Sequence, residues 1–204
     1  VISLVLFVRR QGRLEEPLIN LEPLCVRPFA LGVVANMLSL LTIFAMNIIV
    51  PTFMQSVLGT PPLIASLILF PAILCSCAVS PLAGRIYDKH GPGILLPLGF
   101  ACIAVFSVLT GLLIATASAV VLALIYIPVI CGSALFIGPV QSFALSKLSY
   151  QLNPHGVTVM STGFQIAGCI GSSVFTGVYA AVSAVTAAGG ASAAQAATQG
   201  MVVT

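Results

Sequence analysis

The 204-residue chain is 59% hydrophobic and 5% charged, with a formal net charge of +3 and a mean hydropathy of +1.19. Ordinary soluble domains carry about 25% charged residues, so a water-soluble globular fold is excluded. The basic residues are spread over several loops with no aromatic-interleaved basic patch, which argues against nucleic acid as a partner.

Val1–Val8 is a short apolar stub whose positive charges follow it, the reverse of a signal peptide. It reads as the end of a helix that begins upstream, and the chain as a fragment. Arg9–Pro28 collects four basic and three acidic residues. This part reads as a cytoplasmic loop, with a short interfacial helix interrupted at Pro17 and Pro23. Residues 1–28 form one unit on this reading.

Between Arg27 and Arg85 no Asp, Glu, Lys or Arg occurs, and none occurs between Lys89 and Lys147. A helix needs roughly 20 apolar residues to cross a bilayer, so each gap fits one crossing, a turn and a crossing back. The predicted spans are Phe29–Val50, Leu63–Ala83, Gly93–Ala115, Val120–Phe143 and Val157–Val182. The fold class is therefore an all-α membrane protein, a polytopic helical bundle of about five transmembrane helices over residues 29–182.

Gly59-Thr60-Pro61-Pro62 punctuates the first turn, and Pro71 predicts a kink in the second span. Gly84–Gly91 is a small charged island, expected to be a loop. The third span is apolar on nearly every face, which suits a helix turned to lipid. Thr116–Ala119 is a short turn, and Pro128, Gly132, Gly138 and Pro139 make the fourth span irregular. Lys147–His155 is a polar loop, with Asn153-Pro154 favouring a turn. The fifth span is rich in small residues: Ala167 with Gly171, and Gly168 with Ser172, form small-xxx-small pairs suited to close helix packing. Ser183–Thr204 is Ala/Gly-rich and reads as an extracytoplasmic loop. With the first loop cytoplasmic, five alternating crossings place every Lys and Arg on that side, as the positive-inside rule requires.

The chemistry-bearing motifs are few. Cys75 and Cys77 form a C-x-C with no His or second Cys pair nearby in sequence, so no metal site is expected. Glu15, Glu16, Glu22 and Asp88 lie outside the spans, as do His90 and His155. Proton coupling needs an ionisable group within a span, so this segment is not expected to couple by itself. The chain has no H-E-x-x-H, G-x-S-x-G or P-loop pattern, and an enzyme is not expected. Asn36, Asn47, Gln55, Gln141 and Gln165 are the candidate cavity-lining amides, with Phe44, Phe136, Met46 and Met160 as apolar partners. Apolar walls with few polar groups suit small lipophilic or cationic ligands. The same amides would serve equally as interhelical glue.

Gly84, Asp88, Lys89 and Gly91 match G-x-x-x-D-[RK]-x-G, a loop motif of the major facilitator superfamily. Together with the runs Pro51–Gly93 and Asn153–Gly171, they make the chain resemble its fourteen-helix drug:proton antiporter group (EmrB/QacA type) over roughly Leu14 to Ser183. The resemblance implies the first five helices of a C-terminal six-helix half of a multidrug efflux antiporter in the plasma membrane. It further implies a missing N-terminal half, a missing last helix after 183–204, and a proton gradient rather than a cofactor. In such a half the first and fourth spans line the cavity, the second and fifth flank it, and the third faces lipid. Asp88, which by position could cap the third span's N-terminus or simply be a solvated turn acid, would in this resemblance pair with a basic group on a neighbouring helix as part of a gating loop. The family has two basic residues where Pro92-Gly93 stand here, and its coupling carboxylate lies in the other half. Two alternatives stay open: a non-transporting membrane remnant or interaction protein, and a facilitator for another small solute.

Overall fold

The computed structural model describes residues 21–114 and 118–188, with side chains as far as 182. The stub, the loop as far as Asn20, the end of the predicted third span and first half of the Thr116–Ala119 turn (115–117) and the tail from Gly189 lie outside the described residues.

A single 3-10 turn, Glu22–Cys25, leads into five helices: α1 (Arg27–Ser56), α2 (Pro62–His90), α3 (Pro92–Leu113), α4 (Ala119–Leu145) and α5 (Asn153–Ala188). All five contain a stretch long and apolar enough to cross a membrane. All but α3, which ends at Leu113, overrun their predicted spans at both ends. Pro51 is carried inside α1, and Pro71 and Pro81 inside α2, because neighbouring helices and side chains satisfy freed backbone groups. Pro154 sits at the very start of α5, where its missing N–H costs nothing. The last helix also runs on to Ala188, six residues into the segment read as loop.

One expectation is corrected outright. Gly84–His90 is not a loop but the last two turns of α2. No helix breaker interrupts Arg85–His90, and Lys89 and His90 fall in the final turn, where the helix dipole favours positive charge. The chain reverses at Gly91 alone, with φ 73° and ψ −170°, a conformation open only to glycine. The Gly91 N–H donates to the Tyr87 carbonyl at 2.8 Å, closing α2, and Pro92 opens α3. The N-terminus of α3 has no side-chain cap, so Asp88 does not cap it.

The helices are not equivalent. In the apolar windows of α1 and α4, 44% and 39% of residues are buried, against 17%, 22% and 11% in α2, α3 and α5. Thus α1 and α4 form the centre: α4 packs on α1, α2 and α3, while α5 packs on α1. Glycine sets how close they come. A Cβ on Gly132 of α4 would meet Cys102 Cβ at 2.8 Å and the Gly99 carbonyl at 3.1 Å. A Cβ on Gly99 of α3 would lie 3.0 Å from the Gly132 carbonyl, so the two backbones touch at one crossing. At the α1–α4 crossing, a Cβ on Gly32 would meet Ala144 Cβ at 2.7 Å.

The outward faces remain apolar, with Leu31, Leu63, Val108, Leu112 and Leu124 all more than 60% exposed. Such a surface requires lipid or further helices around it. Arg27, Arg85, Asp88, Lys89 and Lys147 all sit at helix ends on one side of the alternating bundle.

Gly132→Val is expected to destabilise the detergent-solubilised chain by about 1–3 kcal/mol through overpacking, measured by thermal unfolding. Gly111→Ala, where an added Cβ meets nothing within 4 Å, is expected to be neutral or stabilising by up to about 1 kcal/mol. Equal effects at the two positions would contradict the glycine crossing.

Candidate functional site

Several serine and threonine hydroxyls of the spans turn back onto their own helix, although the buried Ser39 and Ser107 hydroxyls find no partner. Thr42 donates to the Leu38 carbonyl at 3.0 Å, Thr110 to Phe106 at 2.7 Å, Ser133 to Ile130 at 2.7 Å and Ser172 to Gly168 at 2.8 Å. Away from water a hydroxyl must find an acceptor, and the carbonyl three or four residues back is always in reach. Groups that reach across helices are therefore informative.

Asn47 is one of them. Its Nδ2 donates to the Ile43 carbonyl at 2.9 Å, while its Oδ1 accepts from the Tyr126 hydroxyl at 2.8 Å. This bond joins α1 to α4, the two central helices. Tyr126 is 4% exposed and packs with Met46, Val50 and Leu69; Asn47 lies on the surface. Sequence reasoning named Asn47 but missed Tyr126. The available signal was a tyrosine inside an uncharged span, whose hydroxyl needs a partner when buried. One turn before Asn47, Phe44 meets Phe164 of α5 edge-on, with centroids 5.7 Å apart.

Gln141 and Gln165 are brought together. They line a cavity of about 260 Å³ between α4 and α5, with Met160, Ser161 and Phe164. Gln55 is exposed near the uncharged end of α1 and lines none of the cavities described here. Asn36, expected on the cavity wall, is enclosed instead: it is 1% exposed, and its Oδ1 has no hydrogen-bond partner, nor has the buried Ser39 Oγ. The reason is local. Asn36 lies one turn beyond Gly32, where α4 approaches too closely to leave a cavity.

The charged end of the bundle carries a larger groove of about 690 Å³ between α2 and α4. Ser76, Ser80, Gly84 and Asp88 recur at helical spacing along its α2 wall, with Tyr87 beside them; Ser133, Gly138 and Ser142 face them from α4. So Gly84 and Asp88 of the motif share one surface, whereas Lys89 and Gly91 do not line it. Gly84 has open space around it. It permits no close helix contact within this chain; it keeps the groove wide.

The small residues of α5 seat that helix on α1. Ala167 is 1% exposed. A Cβ on Gly168 would meet the Phe44 ring at 3.2 Å, and one on Gly171 the Leu41 carbonyl at 3.1 Å. Ser172 bonds within its own helix rather than across. A third, mostly apolar cleft of about 250 Å³ lies between α1, α3 and α5, lined by Thr42, Met46, Ile49, Ser107 and Phe175.

Comparison with known proteins places these features in context. The family model described as Major Facilitator Superfamily matches residues 4–172. The lincomycin resistance protein LmrB of Listeria innocua is 33% identical over 175 residues, covering 85% of this chain and 37% of that protein. The multidrug efflux pump LfrA of Mycolicibacterium smegmatis is 30% identical over 105 residues, covering 52% of this chain and 21% of the pump. The riboflavin transporter RibZ of Clostridioides difficile is 23% identical over 182 residues, covering 88% of this chain and 40% of that transporter. The chain thus spans less than half the length of these relatives. No solved structure matches.

The shared cavity of α4 and α5 gives a direct check. With the native cysteines replaced, a Gln141→Cys, Gln165→Cys double variant is expected to be joined by a short dithiol cross-linker. A Gln55→Cys, Gln165→Cys pair is expected not to be. Cross-linking is read as resistance to separation after cleavage of the α4–α5 connection.

Proposed function

We infer that this chain, which belongs to the major facilitator superfamily, acts as part of the C-terminal half of a proton-coupled drug exporter of the fourteen-helix group, working by alternating access. The multi-pass apolar bundle suits a half-carrier. The drug-resistance names of relatives such as LmrB and LfrA favour export of small lipophilic or cationic compounds. The observation that carries the reading is the character of the two central helices. They carry Asn47, Ser133 and Gln141, uncharged hydrogen-bonding groups set at separate places on largely apolar helices, and apolar surfaces with few polar groups suit a lipophilic ligand.

In this reading the end bearing Arg27, Arg85, Lys89 and Lys147 is cytoplasmic, in a plasma membrane. Asp88, beside the Gly84 groove, pairs with a basic group of the partner half in one state of the cycle. Gly91 holds the sharp reversal that keeps Asp88 and Lys89 at the membrane surface. Because no Asp, Glu, Lys or Arg lies between Arg27 and Arg85 or between Lys89 and Lys147, proton coupling belongs to the other half. RibZ keeps a second reading in view, a carrier of another small solute.

Reconstituted by itself in proteoliposomes, the chain is expected to give no proton-driven efflux of a lipophilic dye. Supplying an N-terminal half with a membrane carboxylate, in cis or in trans, is expected to restore it. Efflux by the chain alone would overturn the assignment.

A further inference from the structure

The Asn47–Tyr126 pair has unused hydrogen-bonding capacity, with Asn47 on the surface and the Tyr126 ring buried behind it. A primary amide has two N–H donors and two carbonyl lone pairs, and a phenol has one donor and two lone pairs. Asn47 uses one N–H on the Ile43 carbonyl and one lone pair on the Tyr126 hydroxyl. Tyr126 uses its only proton in that bond. The pair is left with one donor and several acceptor positions, so it is biased to accept. Its geometry is fixed beforehand: the Tyr126 ring is held in the core by Met46, Val50 and Leu69, and Asn47 is anchored from both ends of its amide.

Beside it, Phe44 is three residues back on the same helix and meets Phe164 across to α5. An aromatic surface next to a cluster of oriented lone pairs fits a flat apolar body carrying an N–H or O–H group. We propose that Asn47 and Tyr126 form a hydrogen-bonding subsite that selects, among lipophilic compounds, those bearing an N–H or O–H donor, protonated amines above all. This rests on the export reading and names the substrate chemistry within it. A purely structural pair would hold α1 to α4 and treat all ligands alike.

The test is equilibrium binding of two cations of similar size to the chain in nanodiscs. Tetraphenylphosphonium has no donor; 3,3,3-triphenylpropylammonium has three N–H groups. Asn47→Leu is expected to lower the ammonium-to-phosphonium affinity ratio about tenfold, the scale of one charge-assisted hydrogen bond. Tyr126→Phe, which keeps the ring packing, is expected to lower it about threefold by freeing the amide to rotate. A ratio unchanged in both variants overturns the subsite, including the case where both affinities fall together. Failure of the wild-type chain to bind either cation overturns the substrate reading itself as well. Binding of both with an unchanged ratio overturns the subsite alone.

Discussion

Backbone and side-chain polar groups in hydrocarbon must be satisfied by the protein itself, and the rest of the bundle depends on that constraint. It makes the spans helical, and it makes Thr42, Thr110, Ser133 and Ser172 spend their hydroxyls on their own helices. Cross-helix cohesion then falls to close packing. Lipid chains are as apolar as leucine, so association in a membrane draws on van der Waals contact at small residues. Gly99 against Gly132, and Gly32 against Ala144, are those contacts. They place α4 at the centre of the bundle with α3 on one side and α1 on another.

The same contacts decide where polarity is free to act. Close approach at Gly32 encloses Asn36, whereas Asn47, about three turns further along α1, stays on the surface with a partner from α4. Both are asparagines on one helix, and their fates differ because one lies beside a glycine crossing. On α2 the small residues have the opposite effect. Gly84 meets no neighbour, and with Ser76 and Ser80 it leaves a groove where a larger side chain would fill space. Glycine spacing alone therefore says little; whether a second backbone stands opposite decides between a contact and a cleft.

Much of the fold was legible because it follows from charge. The long gaps between Arg27 and Arg85 and between Lys89 and Lys147 fix four crossings, the uncharged run after Lys147 adds the fifth, and the connections at Gly59–Pro62 and Gly91–Pro92 carry their own turn chemistry. Boundaries were less legible, since a helix does not stop where the hydrocarbon stops. The island after Ala83 is charged because it leaves the membrane, and it remains helical because nothing in Arg85–His90 breaks a helix. At the site, single residues with unusual chemistry were found and pairings were not. Gln141 and Gln165 share a cavity, and Tyr126 meets Asn47, through the packing of α1, α4 and α5. No spacing along the chain encodes those meetings.

The two ends of the bundle differ in a way that bears on mechanism. At the charged end, Asp88 borders a wide groove of serines, a surface that is open and wet in character. Towards the other end, the helices offer amides and a phenol set among Met46, Val50 and the Phe44–Phe164 pair, with no charge between them. Electrostatic attraction weakens in the high dielectric of the first region and strengthens in the low dielectric of the second. A charge-based latch belongs where charges remain solvated and can part at low cost. Discrimination by single hydrogen bonds belongs where water does not compete for them. On the proposed reading these tasks lie apart along the length of the helices, with Asp88 in the last turn of α2 and the Asn47 amide about 20 residues along α1 from the charged end.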